Sequence, residues 1–367
     1  MHRIARLPAA AAVASAVLAL PGTAVAAPGA PLSGNQLSQN CTRSTDSGLT
    51  CSFDVPPGAY EIQLALGSRT AAADTGLDVE ANRAVLAPVA TAAGHTVVRS
   101  VTVDVRTPES MPDGQEGDGT PGLQLRITGS APALAGLRVT PRPHAPRLFV
   151  ISDSTASDWL RTVQRGWAQE LPQYLRSGID VANWAVSGSS TVSWLSRPEL
   201  FAALQPRIHP GDEVLVQLAH NDKNTDEDTY RANLLTLVDG VRARGGRPVL
   251  VTPPVRHLFG SDGRITPTGR IVNGLGVDLP AVMRDVARQQ GLPLLDLTAD
   301  SEALVERLGP DASWQLYADL PAGRSQTHFD AAGATTVAGL VAQEIARAGL
   351  PAAGFLDNPP GAQGARR

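Results

Sequence analysis

The chain has 367 residues, 43% of them apolar and 18% charged, which is enough for two folded domains and excludes a disordered or fibrous protein. Its formal net charge of -4, with the basic residues dispersed, offers no basic stripe and argues against nucleic acid as a partner. Lys223 is the only lysine, which excludes a lysine-based Walker phosphate loop.

At the start of the chain, His2, Arg3 and Arg6 precede an apolar run from Ala9 to Leu20 and a small-x-small site at Ala24 to Ala26. Residues 1–26 therefore read as a secretory signal peptide. No later run approaches the roughly 18 apolar residues of a membrane span, so a secreted, extracellular protein without a membrane span is expected. Export would place Cys41 and Cys51, the only cysteines, in an oxidising compartment, where a disulfide is the leading reading. Two thiols with no nearby histidine do not make a metal site.

Residues 31–142 carry short alternating runs bounded by glycine, proline and aspartate: Tyr60–Leu66, Thr96–Val105, Leu123–Ile127 and Leu134–Val139. Period-two alternation of this kind predicts antiparallel strands and a small β-sandwich. The insert from Asp113 to Gly122 is acidic, but the alternating ligand pattern of a calcium loop is missing, so a solvated loop is expected. Phe53 and Tyr60 are the only aromatics of this domain. A stacking platform for sugar is hard to build from them, and the domain reads as structural or positioning. Thr140 to Pro146 forms the linker.

From residue 147 to 350 the pattern changes. Apolar runs at Leu148–Ile151, Ile179–Trp184, Glu213–Ala219, Pro248–Thr252 and Pro293–Leu297 alternate with helical stretches. In the last of these, Asp330 to Ala348, residues Ala334, Val337, Ala338, Val341 and Ile345 share one face at three-and-four spacing. Strand-helix alternation predicts an α/β fold with a parallel sheet covered on both faces. Residues 351–367 read as a flexible tail.

Ligand sites in such sheets lie beyond the carboxyl ends of the strands, and three polar clusters sit there: Ser152 to Thr155, Val186 to Ser190, and Ala219 to Lys223. His328 follows in "THFDAAGA". These stretches, with "GWAQELPQYL", "VLVTPPVRHLF" and "LPLLDL", resemble the SGNH or GDSL-type hydrolases, and more closely the rhamnogalacturonan acetylesterase branch. The preceding sandwich resembles the accessory domain often found before it. The resemblance implies a three-layer, flavodoxin-like parallel sheet and a serine acyl-enzyme route that needs no cofactor and no metal. Ser154 would be the nucleophile and His328 the base. The backbone amides of Ser154 and Gly188 and the side-chain amide of Asn221 would line the oxyanion hole. His220 and Arg256 would be weak substrate contacts.

Four positions depart from the family pattern: Ser152 and Ala219 replace glycines, Ser189 replaces an arginine, and Ser325 occupies the usual acid position. Asp330 lies near His328 but is expected to cap the final helix; Asp319 and Asp296 are more distant candidates. Either a Ser154–His328 dyad operates or a carboxylate brought in by the fold supports His328. The expected function is removal of O-acetyl groups from a rhamnogalacturonan- or pectin-like polysaccharide or oligosaccharide by a monomer. The alternatives are a lipid or general ester hydrolase, and a weakened or silent carbohydrate-binding relative.

Overall fold

A computed structural model of the chain describes residues 40–43, 48–80, 82–106, 122–160 and 162–357. The expected signal peptide and the acidic loop from Asp113 to Pro121 lie outside them.

The first half forms β1 (Cys41–Arg43), β2 (Leu49–Phe53), β3 (Gly58–Leu66), β4 (Ala73–Val79), β5 (Arg83–Thr91), β6 (Val97–Val105), β7 (Leu123–Ala131) and β8 (Leu134–Pro141). They make two antiparallel sheets, in the orders β1-β2-β7-β4-β5 and β6-β3-β8. The alternation sets which side chains meet. Ile62, Leu64 and Leu66 of β3 point inward and pack with Leu77, Leu125 and Ile127 of the other sheet, all fully buried, while Gln63 between them faces out. Cys41 and Cys51 are directly opposed in the β1–β2 register and form the expected disulfide.

The second half is built on β9 (Arg147–Ile151), β10 (Asp180–Asn183), β11 (Glu213–Val216), β12 (Arg247–Val251) and β13 (Leu294–Leu295). Their order is β10-β9-β11-β12-β13, and every pair is parallel. Counted within this sheet that is 2-1-3-4-5, the flavodoxin-like order. Both faces are covered. Leu148 and Val150 pack with Val337 and Val341 of the closing helix, whereas Phe149 and Ile151 pack on the opposite side with Trp194, Tyr230 and Leu234.

Some expected elements are shorter. The strand expected as far as Ala219 ends at Val216, because Gln217 to Ala219 leave the sheet toward the site. The strand expected from Pro293 to Leu297 keeps only Leu294–Leu295, because Asp296 turns away to cap the helix Leu297–Ala312. The tail expected from Pro351 is instead packed as far as Leu356: Pro351–Phe355 is a 3-10 turn, the Ala352 amide donates to the buried Glu213 carboxylate at 2.7 Å, and Leu356 bridges Leu175.

Before the closing helix an antiparallel pair, β14 (Tyr317–Leu320) and β15 (Gly323–Phe329), brings the chain back toward β9. The helix Ala331–Arg347 starts at Asp330, whose carboxylate accepts from the Gly333 amide at 2.8 Å. Gly333 explains the small residue in "FDAAGA": a Cβ there would stand 1.8 Å from the Leu316 carbonyl oxygen. The close approach lets the helix start directly below β14.

Candidate active site

In the 2-1-3-4-5 order the chain leaves β9 and β11 in opposite directions, and a crevice opens between their carboxyl ends. Ser154 stands there, 7% exposed, on the turn that follows β9. The Asp153 carbonyl shapes that turn by accepting from the Ala156 and Ser157 amides, each at 3.1 Å. His328, the last residue but one of β15, arrives from the other side, with Nε2 2.9 Å from Ser154 Oγ. The Trp159 indole N–H donates to the Ser154 carbonyl at 3.0 Å, and its ring lies edge-on to the His328 imidazole at 5.6 Å. Trp159 packs against both members of the pair.

Asp153 lies beneath the serine and is fully buried. Its Oδ1 accepts from the Thr155 amide and hydroxyl at 2.9 and 2.8 Å, and its Oδ2 faces His220 Nδ1 at 3.3 Å and Gln217 Nε2 at 3.4 Å. Burial alone would push this carboxyl up, but His220 and these hydrogen bonds outweigh it and hold Asp153 below the usual carboxylate range. His220, expected as a weak substrate contact, is turned inward. It is 3% exposed, and its second nitrogen meets the Pro254 carbonyl at 3.0 Å. It braces the carboxylate under the serine.

Gly188 is exposed and adopts φ +76, the left-handed region that glycine takes without strain. Among the described residues, neither the Ser154 nor the Gly188 amide donates to a protein acceptor. The Asn221 side-chain amide is held at 2.9 Å on the Ser189 carbonyl, with its second N–H left over.

The four departures have physical accounts. Ser152 and Ala219 keep negative φ, so neither position requires glycine. Ser189 is a buried brace: its hydroxyl lies 2.7 Å from the Val186 carbonyl and 3.0 Å from the Ser152 carbonyl, and the Trp194 indole donates to it at 2.9 Å. Behind His328 stands Ser325, its Oγ 3.4 Å from Nδ1. That oxygen also accepts from the His328 and Thr327 amides at 2.9 and 3.2 Å.

Among the described residues, no carboxylate takes the place behind the ring. Asp330 caps the closing helix, Asp296 pairs with Arg284 at 2.9 Å, and Asp319 is an exposed residue of β14. Burial first, and then the charges of His220 and Arg256, lower the His328 pKa below its ordinary 6.5, against an opposing pull from Asp153. The imidazole is therefore neutral at neutral pH, the form a general base needs.

Beside the Asn221 turn lies a cavity of about 240 Å3 lined by Lys223, Asn224, Arg256 and Asn273 among others. Arg256 donates through Nη2 to the His220 carbonyl at 2.9 Å, while its buried Nε meets no acceptor among the described residues. Lys223 is exposed and forms no ion pair among the described residues.

A serine hydroxyl set against a neutral imidazole at the switch point of this sheet defines a serine carboxylic-ester hydrolase. The chain belongs to the GDSL-like lipase/acylhydrolase family, whose profile matches residues 151–335. It is 34% identical over 220 residues to the rhamnogalacturonan acetylesterase RhgT of Bacillus subtilis, covering 56% of this chain and 91% of the relative. The uncharacterized esterase YxiM of the same organism is 28% identical over 348 residues, covering 90% of this chain and 82% of the relative. The crystal structure of YxiM shares the fold, with a TM-score of 0.52, 24% identity, and 85% and 83% of the two chains covered.

Proposed function

We propose that the protein is a secreted esterase that removes O-acetyl groups from a rhamnogalacturonan- or pectin-like polysaccharide through an acyl-enzyme on Ser154. The 2.9 Å contact between Ser154 Oγ and His328 Nε2 carries the reading. In it, His328 Nε2 takes the serine proton as Oγ adds to the ester carbonyl. The amides of Ser154, Gly188 and Asn221 receive the oxyanion. His328 then gives the proton to the departing sugar oxygen, which leaves as a hydroxyl, and water repeats the cycle on the acyl-enzyme.

Two observations favour an acidic sugar polymer over a lipid. The relative RhgT is named for rhamnogalacturonan, and the cavity beside the site offers two cations and two side-chain amides. Secretion is supported by the leader-like first residues and by the disulfide. Acetate release from acetylated pectin fragments, set beside a p-nitrophenyl ester series of increasing chain length, tests the substrate. Acetyl should be the preferred acyl group, and Arg256→Ala should raise KM for the fragments by about tenfold while leaving p-nitrophenyl acetate within about twofold. A preference for long acyl chains would favour the lipid reading.

Ser325→Asp tests the dyad. A carboxylate behind Nδ1 favours the imidazolium, so it raises the His328 pKa and moves the acid limb of the kcat/KM profile to higher pH. In the parent that limb should lie below pH 6.5, the ordinary histidine value from which His328 is lowered. Plateau activity should be equal or higher in the variant. A loss beyond about tenfold, roughly 1.4 kcal/mol in the barrier, would mean that the site is built around the serine.

A further inference from the structure

Asn82 and Arg83, where β5 begins, reach across to the hydrolase half. Glu80 and Asn82 adopt φ 51 and 55, a left-handed conformation that costs free energy in residues other than glycine. Glu80 is nevertheless fixed: its amide donates to the Gln124 carbonyl at 3.1 Å, and its carboxylate accepts from the Gln124 amide at 2.9 Å. Its strain is held by β7 and presents Asn82 and Arg83 to the hydrolase half.

Arg83 is 2% exposed, with Nε 3.0 Å from Oδ2 of the fully buried Asp158. The other Asp158 oxygen accepts from Asn183 Nδ2 at 2.8 Å, and the same amide nitrogen donates to the Ala156 carbonyl at 2.8 Å. Arg106, just beyond β6, donates to the Asn183 carbonyl and so holds that residue from the same side. The loop gripped in this way runs from Ser154 to Leu160, and it contains Trp159, which touches both Ser154 and His328.

Asn82 grips a second point on the loop and also the opposite wall. Its Nδ2 donates to the Leu160 carbonyl at 2.9 Å, and its own carbonyl accepts from Arg165 Nη1 at 2.5 Å. The Arg165 amide donates to the carbonyl of Phe329, the neighbour of His328, at 2.9 Å. One turn thus holds the segment that carries Ser154 and the segment that carries His328.

Stability alone is a weak reason for such an arrangement. A buried ion pair roughly offsets its own desolvation, and apolar residues of similar volume often do as well. Geometry is the stronger reason, because a displacement of about 1 Å between reacting groups can cost on the order of a hundredfold in rate.

We propose that Asn82 and Arg83 are positioning residues for the Ser154–His328 pair, so that the antiparallel half completes the active site. The inference rests on the reading of Ser154 and His328 as the reacting groups. Turnover by the parent and its loss in Ser154→Ala test that reading separately.

The experiment uses the full chain with Arg83→Met, Arg83→Lys and Asn82→Gly, and measures melting temperature, kcat and KM for p-nitrophenyl acetate. Arg83→Met should lower kcat by about tenfold or more with KM within about threefold, and Arg83→Lys, whose ammonium can still meet Asp158, should recover part of the loss. Asn82→Gly keeps the left-handed turn and removes only the side-chain amide; it should fold and lose at least about threefold in kcat. If Arg83→Met does not fold, Asn82→Gly decides. Folded variants with kcat within about twofold of the parent, or an Arg83→Lys no better than Arg83→Met, would overturn the proposal.

Discussion

Ser154→Ala is expected to lower kcat for p-nitrophenyl acetate by at least about a thousandfold while leaving the fold intact. The hydroxyl makes its one described hydrogen bond to His328, and the turn beneath it is held by the Asp153 carbonyl and carboxylate, which the substitution leaves in place. The melting temperature should therefore stay within a few degrees of the parent. What disappears is the atom that forms the covalent bond. His328 can still polarise water and the oxyanion donors remain, so a residual rate above the uncatalysed one is expected. A serine-directed phosphonate should add its mass to the parent and not to the variant. Equal turnover by the two proteins would move the nucleophile elsewhere.

The parallel sheet was legible because its strands are buried on both faces and read as unbroken apolar runs. Leu148–Ile151 illustrates this, its alternate residues serving the two opposite cores. The β4–β5 hairpin was not predicted. Its strands carry Asp74, Gly76, Asp78 and Pro88, residue types depleted in strands, and pairing with β7 overrides that local preference. The β14–β15 pair escaped for a related reason. "GRSQTHF" is polar and half-exposed, and it is held as a strand by its register with Tyr317–Leu320 and by the His257 amide, which donates to the Gln326 carbonyl at 2.7 Å.

The candidate site divides in the same way. Ser154, Gly188, Asn221 and His328 stand at the ends of predicted elements, where residue type and position were visible together, and the fold sets His328 Nε2 2.9 Å from Ser154 Oγ. The vacancy of the acid position was equally visible at Ser325. The supporting shell was not. Asp153, Gln217 and His220 meet across β9 and β11, and Trp159 reaches His328 across 169 positions of sequence. No local periodicity encodes contacts of that range, and His220 shows the consequence: a polar residue in a site motif that points into the protein.

Asn221→Ala is the second large effect, a fall in kcat of about a hundredfold or more with a smaller change in KM. The amide is held on the Ser189 carbonyl, itself fixed by the buried Ser189 side chain, so its remaining N–H is oriented before substrate arrives. A preoriented donor stabilises charge that develops only in the transition state, which is why the loss should fall on kcat. Asn221→Asp should be worse than alanine. A carboxylate there would repel the oxyanion and would also face the Ser189 carbonyl, two acceptors with no proton between them. The comparison of the two variants separates electrostatics from shape. If alanine and aspartate lose equally, Asn221 supports the turn at Ala219 to Lys223 without touching the reacting oxygen, and the backbone amides of Ser154 and Gly188 carry the oxyanion by themselves.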